Sequence, residues 1–285
     1  MRHAYLILAH NAFDMLQTLI DCIDDSRNDI FVHIDRKVPV LPGLKVEKSR
    51  LQLVEQRLDV RWGDLSMVEA EMVLLETAVA QGPYQYYHFL SGVDMPLKSQ
   101  DYIHAFCEQY DGKQFIGYTL TELTPELARR MQYWHLFPGH FSKKRNGYGL
   151  IRALFLRFQM VFRIRRNRDV DFKKGTQFVS ITDSFAKYVL GRRAWVRKTF
   201  THTFVPDESV FQTLGWMPEF RDSLFNTESD SLGCMRAICW REGARDIDWA
   251  EGDFDYLAAS PSFFGRRFNN SDSAFLQKII ALSKS

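Results

Sequence analysis

Between residues 4 and 94, short and wholly apolar runs alternate with longer segments whose apolar residues recur at helical spacing. No other feature of the chain constrains the fold as much. Residues 4–9 are continuously apolar, the mark of a strand covered on both faces. Residues 13–23 follow with helical periodicity. The buried-strand signal returns at 29–34, briefly at 51–54, and again at 86–90. Residues 66–80 read as a long helix, with Ser66 as N-cap and Glu69 three places on to close a capping box. Such alternation builds an α/β fold with a mostly parallel central sheet and helices on both faces. Ligands then bind beyond the carboxyl ends of the strands, where His10, Asp35 and Asp94 stand. A dinucleotide-binding dehydrogenase is disfavoured, because no Gly-x-Gly-x-x-Gly follows the first strand.

Beyond Asp94 the pattern becomes irregular. A strand is expected at 115–118, a helix at 125–132, a loop carrying Lys143, Lys144 and Arg145 at 137–148, and a helix at 151–166. A strand at 176–182, helices at 183–190 and 207–214, a late strand at 234–240 and a final helix complete the reading. No repeat, low-complexity stretch or linker divides the 285 residues, so a single domain over 1–285 is expected. A hydrophobic content of 46% suffices for a sizeable core. The net charge of +2 argues against a nucleic-acid partner. Cys22, Cys107, Cys234 and Cys239 lack zinc-site spacing and read as core thiols. The first residues do not read as a signal peptide, and no apolar run approaches the roughly 20 residues of a membrane span. The expected location is the cytoplasm or the inner face of the cell membrane.

Candidate reactive groups concentrate late in the chain. Glu208 lies in Val205-Pro206-Asp207-Glu208-Ser209, where Pro206 and Asp207 favour a helix start. That puts Glu208 in a first turn, where the helix dipole favours an ionised carboxylate; composition alone would make it an ordinary helix-terminal acid. Arg266 and Arg267 precede the final helix, and Arg245 follows the late strand. By spacing alone the pair reads as surface charge, yet such groups can neutralise a phosphate leaving group. Asp-x-Asp pairs at Asp169–Asp171, Asp246–Asp248 and Asp253–Asp255 could hold a divalent cation. None follows an early buried strand, and residues 91–94 (Ser-Gly-Val-Asp) offer a single acid, so no metal is expected. His88 reads as a core residue, and His135 and His140 flank an irregular loop.

Seven stretches stand in a definite order and spacing: Tyr5 to His10, Phe31 to Asp35, Val60 to Gly63, Phe89 to Lys98, Gly175 to Phe178, Pro206 to Glu208 followed by Phe211 to Thr213, and Phe264 to Phe268. Together they resemble the core-2/I-branching glycosyltransferase family, which includes β-1,6-N-acetylglucosaminyltransferases and peptide O-xylosyltransferases. The resemblance runs over nearly the whole chain. It implies a GT-A-type fold, with a nucleotide-sugar-binding part at 1–100 and an acceptor, base and diphosphate part at 101–285. It also implies an inverting, metal-independent transfer from a UDP-sugar, N-acetylglucosamine first among donors, to a glycan hydroxyl, without a cofactor. Glu208 becomes the base, and two basic residues replace the metal. Arg267 matches the second of these, within Arg-Phe-Asn where the animal enzymes have Lys-Phe-Asp. The first is Arg245 or Arg241. His10, Asp35 and Arg61 match the uridine edge, and Asp94, Lys98 and Asp207 the sugars. The membrane anchor and disulfide cysteines of the animal Golgi enzymes have no counterpart, which fits a bacterial-type member whose acceptor is a growing glycan, lipid-linked ones included. The alternatives are a metal-dependent GT-A transferase and a non-catalytic glycan- or nucleotide-binding protein on the same fold.

The helix expected at 151–166 has an apolar face flanked by arginines and carries no acid. Its expected role is ordinary core packing. Peripheral contact of residues 151–168 with an anionic membrane is the other reading.

Overall fold

In the computed structural model, residues 1–140, 147–239 and 247–284 are described. In chain order the elements are β1 (His3–Ala9), α1 (Phe13–Ile23), β2 (Asn28–Ile34), β3 (Arg50–Leu53), α2 (Ser66–Val79), β4 (Tyr86–Ser91), β5 (Met95–Pro96), α3 (Gln100–Gln109), α4 (Pro125–Met131) and α5 (Gly147–Val161). Then follow β6 (Ser180–Thr182), α6 (Asp183–Gly191), α7 (Arg193–Phe200), α8 (Val210–Gly215), α9 (Asp230–Cys234), β7 (Arg236–Ile238), α10 (Phe254–Ala259), β8 (Phe264–Arg266) and α11 (Ser273–Leu282).

The central sheet has the order β3-β2-β1-β4-β6, parallel except for β6 at its edge. Strand periodicity divides the core. Ala4 and Leu6 of β1 enter one apolar cluster with α2, α6 and α8. Tyr5, Ile7 and Ala9 enter a second cluster with α1, α3 and α11. Helices therefore cover both faces, as the alternation predicts, and the four cysteines are buried. Among the described residues no helix is long and apolar enough to cross a membrane.

Five local expectations fail, each for a definable reason. The capping box at α2 does not form. Ser66 is already helical, its N–H donates to Asp64 Oδ1 at 2.7 Å, and its hydroxyl also turns to Asp64. Glu69 is instead drawn to Arg193 at 3.1 Å and Arg197 at 2.6 Å. The strand expected at 115–118 reduces to isolated bridges at Gln114 and Phe115, and the one at 176–182 shortens to β6. The chain leaves the ladder where Gly117 and Gly175 meet backbone to backbone; a Cβ on Gly175 would fall 1.9 Å from the Gly117 carbonyl oxygen. The helix expected at 207–214 is broken at Ser209, with a 3₁₀ turn over Pro206–Glu208 before α8.

The fifth correction concerns α5, which starts earlier than expected and ends at Val161. Its apolar face does not pack on the sheet. Gln159 is its buried residue, fixed by paired 2.9 Å hydrogen bonds to the backbone N–H and C=O of Trp134. Leu150, Ile151, Leu154 and Phe158 remain exposed. Lys143, Lys144 and Arg145 lie outside the described residues.

A small second sheet, β5-β8-β7, sits against the central one. Arg236 of β7 is buried between them. Its guanidinium donates to the carbonyls of Cys234 (2.7 Å), Phe89 (3.2 Å) and Val179 (3.2 Å) and to Ser180 Oγ (3.0 Å). It also lies 4.6 Å from the ring centroid of Phe264 in β8. Burial lowers its pKa to about 10, which leaves it charged at neutral pH. Arg236→Leu should therefore cost about 3 kcal/mol or more, since it deletes several hydrogen bonds of a buried charge. Urea unfolding followed by circular dichroism measures that loss.

Candidate active site

A cleft of about 890 Å³ opens beyond the carboxyl end of β1. His10, the residue after β1, stands on its wall. The broken elements of the second half supply most of the remainder. Gln177 and Phe178 come from the chain that leaves the ladder before β6. Asp207 and Glu208 come from the 3₁₀ turn, and Arg266 and Arg267 from the end of β8.

Glu208 is placed by backbone constraints on both sides. Val205 adopts a left-handed conformation at φ 56° and donates its N–H to the Gly63 carbonyl at 2.9 Å. The Glu208 carbonyl accepts the N–H of Gly175 at 2.9 Å. The carboxylate then meets Arg130 at 3.1 Å and Lys174 at 3.5 Å. These cations orient it within the cleft, and no helix dipole is needed.

Asp207 beside it is buried. Burial raises its carboxyl pKa to about 7, and the charge of Glu208 adds to the effect. Glu71 of α2 is fully buried, accepts from Gln177 Nε2 at 2.8 Å, and is raised well above the carboxylate range by burial, with Asp207 adding to it. Asp207 on the cleft wall and the fully buried Glu71 are thus two carboxyls whose ionisation burial opposes.

Across the cleft, Arg266 donates to Ser91 Oγ at 2.8 Å and to Asp94 Oδ1 at 3.2 Å, and stacks 4.3 Å over the ring of Phe178. Asp94 is buried and also accepts the Ser91 N–H at 2.8 Å. Its carboxyl therefore serves Ser91 and an arginine, not the cleft. Arg267 is exposed and paired with Asp248 at 3.0 Å.

Asp35 and Arg61 do not line the cleft but belong to one chain of charges beside it. Lys37 bridges Asp35 at 2.9 Å and Asp59 at 3.0 Å, and Asp59 holds Arg61 at 2.9 Å. Lys98 lies elsewhere, its ammonium 3.4 Å from the Ala258 carbonyl. Arg241 and Arg245 lie outside the described residues. His88 is a core residue, hydrogen-bonded to Ser180 at 2.7 Å and His3 at 3.0 Å. His135 lines the cleft, and burial lowers its pKa to about 4. Among the described residues, the three side chains grouped closely enough to share a metal ion are His3, His88 and Cys107, and none of them lines the cleft.

A model of the core-2/I-branching enzyme family matches residues 3–266. The chain belongs to the core-2/I-branching enzyme family. It is accordingly a glycosyltransferase, using a sugar donor and a glycan acceptor. No curated protein sequence matches it. Among solved structures, mouse xyloside xylosyltransferase 1 in its apo form is similar at 10% identity, over 95% of this chain and 99% of that one, with a TM-score of 0.38. That likeness is too loose to carry any inference.

Arg130, Lys174 and Trp62 are among the wall residues that the sequence does not single out as site residues. Lys174 directly precedes Gly175-Thr176-Gln177-Phe178, so its neighbourhood to a family segment is a usable signal. Arg130 has none, being 78 residues from its partner Glu208.

The carboxyl of Asp207 generates a stability prediction. Its folded pKa of about 7 lies above the ordinary aspartate value of about 3.9. Between those values the folded state holds the proton that the unfolded state has released, so stability falls as pH rises from about 4 to about 7. Asp207→Asn should flatten that slope by a few kcal/mol, at about 1.4 kcal/mol per pKa unit. Chemical denaturation midpoints across this pH range test the effect.

Proposed function

We propose that this glycosyltransferase inverts configuration and needs no metal, and that it moves N-acetylglucosamine from its UDP-sugar to a glycan hydroxyl. The observation that carries this reading is the placement of Glu208 in one cleft with Arg266 and Arg267. In the proposed step Glu208 accepts the proton of the acceptor hydroxyl. The oxygen forms a bond to the anomeric carbon from the face opposite UDP. The bond to the diphosphate oxygen breaks, and its electron pair leaves on the phosphate.

Developing charge on the leaving group then meets arginine. The pairing of Asp94 with Arg266 supports metal independence. The strand end where related enzymes place metal-binding acids here spends its one carboxylate on a cation that lines the cleft. Arg267, with its exposed guanidinium, can exchange Asp248 for a diphosphate. Trp62, half-exposed on the wall, offers an aromatic face for an acceptor sugar. His10 and the Asp35–Lys37–Asp59–Arg61 chain fit the uridine side.

Glu208→Gln should lower kcat about 100- to 10,000-fold while UDP binding persists. Unchanged transfer would reassign the base. Wild-type turnover of UDP-N-acetylglucosamine should be undiminished in EDTA; loss that added Mg²⁺ or Mn²⁺ restores would make the enzyme metal-dependent. Arg267→Ala should weaken UDP by about tenfold or more, the loss of one charge-assisted contact, and leave uridine nearly unaffected. Calorimetry with both ligands separates the two effects.

A further inference from the structure

Helix α5 is inverted in its polarity. Its inward side carries the buried Gln159 together with Arg152, Ala153 and Leu156 of the cleft wall. Its outward side carries Leu150, Leu154, Phe158 and Val161, spaced to share one helical face, with Ile151 beside them. Leu150 is 63% exposed, Leu154 57% and Val161 75%. Phe162 and Ile164 extend the apolar surface past the helix end, and exposed Phe137 packs edge-on against Tyr148 at its start. A contiguous apolar face turned to water marks an interaction site.

The charge around that face indicates what it meets. Residues 147–168 contain six arginines and no Asp, Glu or Lys. Subtracting those six charges from the net +2 leaves −4 for the rest of the chain, so the excess positive charge is local. Arg163, Arg165 and Arg168, with Tyr133 and Met160, line a shallow groove of about 600 Å³ at the end of α5. A second copy of the chain would set like charge against like, with Arg157, Arg163, Arg165 and Arg168 exposed on each. An anionic lipid surface instead complements both the apolar face and its basic margin.

We propose that α5 and the following residues to Arg168 dock on an anionic membrane surface, with the outward face of α5 inserted among the lipids. Because the other side of the same helix lines the cleft, docking holds the catalytic cleft at the lipid surface. The enzyme would then act on acceptors presented at that surface. Attachment itself does not depend on the donor or on the base, so it stands or fails separately from the proposed reaction.

Co-sedimentation of the full chain with phosphatidylcholine vesicles, with and without phosphatidylglycerol, tests the proposal at low and moderate salt. Binding is expected only with phosphatidylglycerol and should weaken with salt. It should fall roughly tenfold or more in Leu154→Glu/Phe158→Glu and in Arg157→Glu/Arg163→Glu. All four side chains are exposed, so the thermal midpoint and UDP binding should stay unchanged and separate lost docking from lost folding. Absence of binding to anionic vesicles at low salt overturns the proposal. So does binding that the arginine variant abolishes but the apolar variant does not, since that is adsorption without insertion. A dimer in solution that Leu154→Glu/Phe158→Glu dissolves, with no vesicle binding, would assign the face to a second copy.

Discussion

The Arg236 guanidinium is buried between the two sheets, and its hydrogen bonds reach backbone carbonyls on both sides of that boundary. Carbonyl dipoles, a serine hydroxyl and the face of Phe264 take the place of a carboxylate partner in direct contact. Arg236 thereby locks β7 and β8 onto the end of β4. The position of the cleft follows, because β8 ends in Arg266, and Arg266 ties itself to Ser91 and Asp94 just beyond β4. A buried charge held by these acceptors tolerates few alternative arrangements, since a shift of the small sheet would separate the charge from them.

The cleft wall is made where regular structure stops. Gly175 approaches the Gly117 carbonyl so closely that it cannot carry a side chain, Gly117 is closed in turn by Asp230, and the chain leaves the sheet at this contact before β6. The diverted residues Thr176, Gln177 and Phe178 face the cleft instead of continuing a ladder. The break at Ser209 likewise separates Glu208 from α8 and leaves it to be oriented by Arg130 and Lys174. Local order is given up at these points and recovered through long-range contacts, as expected where a site must hold side chains in defined directions.

Electrostatics grade the wall from depth to surface. Glu71 and Asp207 lie deep enough that burial favours their neutral forms. Glu208 lies closer to solvent between two cations, and Arg266 and Arg267 stand across from it. The cleft therefore holds one carboxylate in ion pairs beside carboxyls that resist ionisation. That division lets neighbouring acids take different roles.

Much of the architecture was legible in the sequence. The apolar runs at 4–9, 29–34 and 86–90 are buried strands because a strand covered on both faces has no polar side to show, and α1 matches its periodic segment from Phe13 to Ile23. The succession of motifs from Tyr5 to Phe268 was enough to point to the family. Tertiary structure alone decided the rest. The helix at 207–214 broke, and Arg130 and Lys174 reached Glu208, through long-range contacts that no local pattern encodes. The clearest case is α5. Its sequence is that of an amphipathic helix in either setting, and only the seat that Gln159 takes against Trp134 determined that the apolar side faces outward. Periodicity reports that a helix has two faces, while the partner that satisfies its buried polar group decides which of them meets the protein.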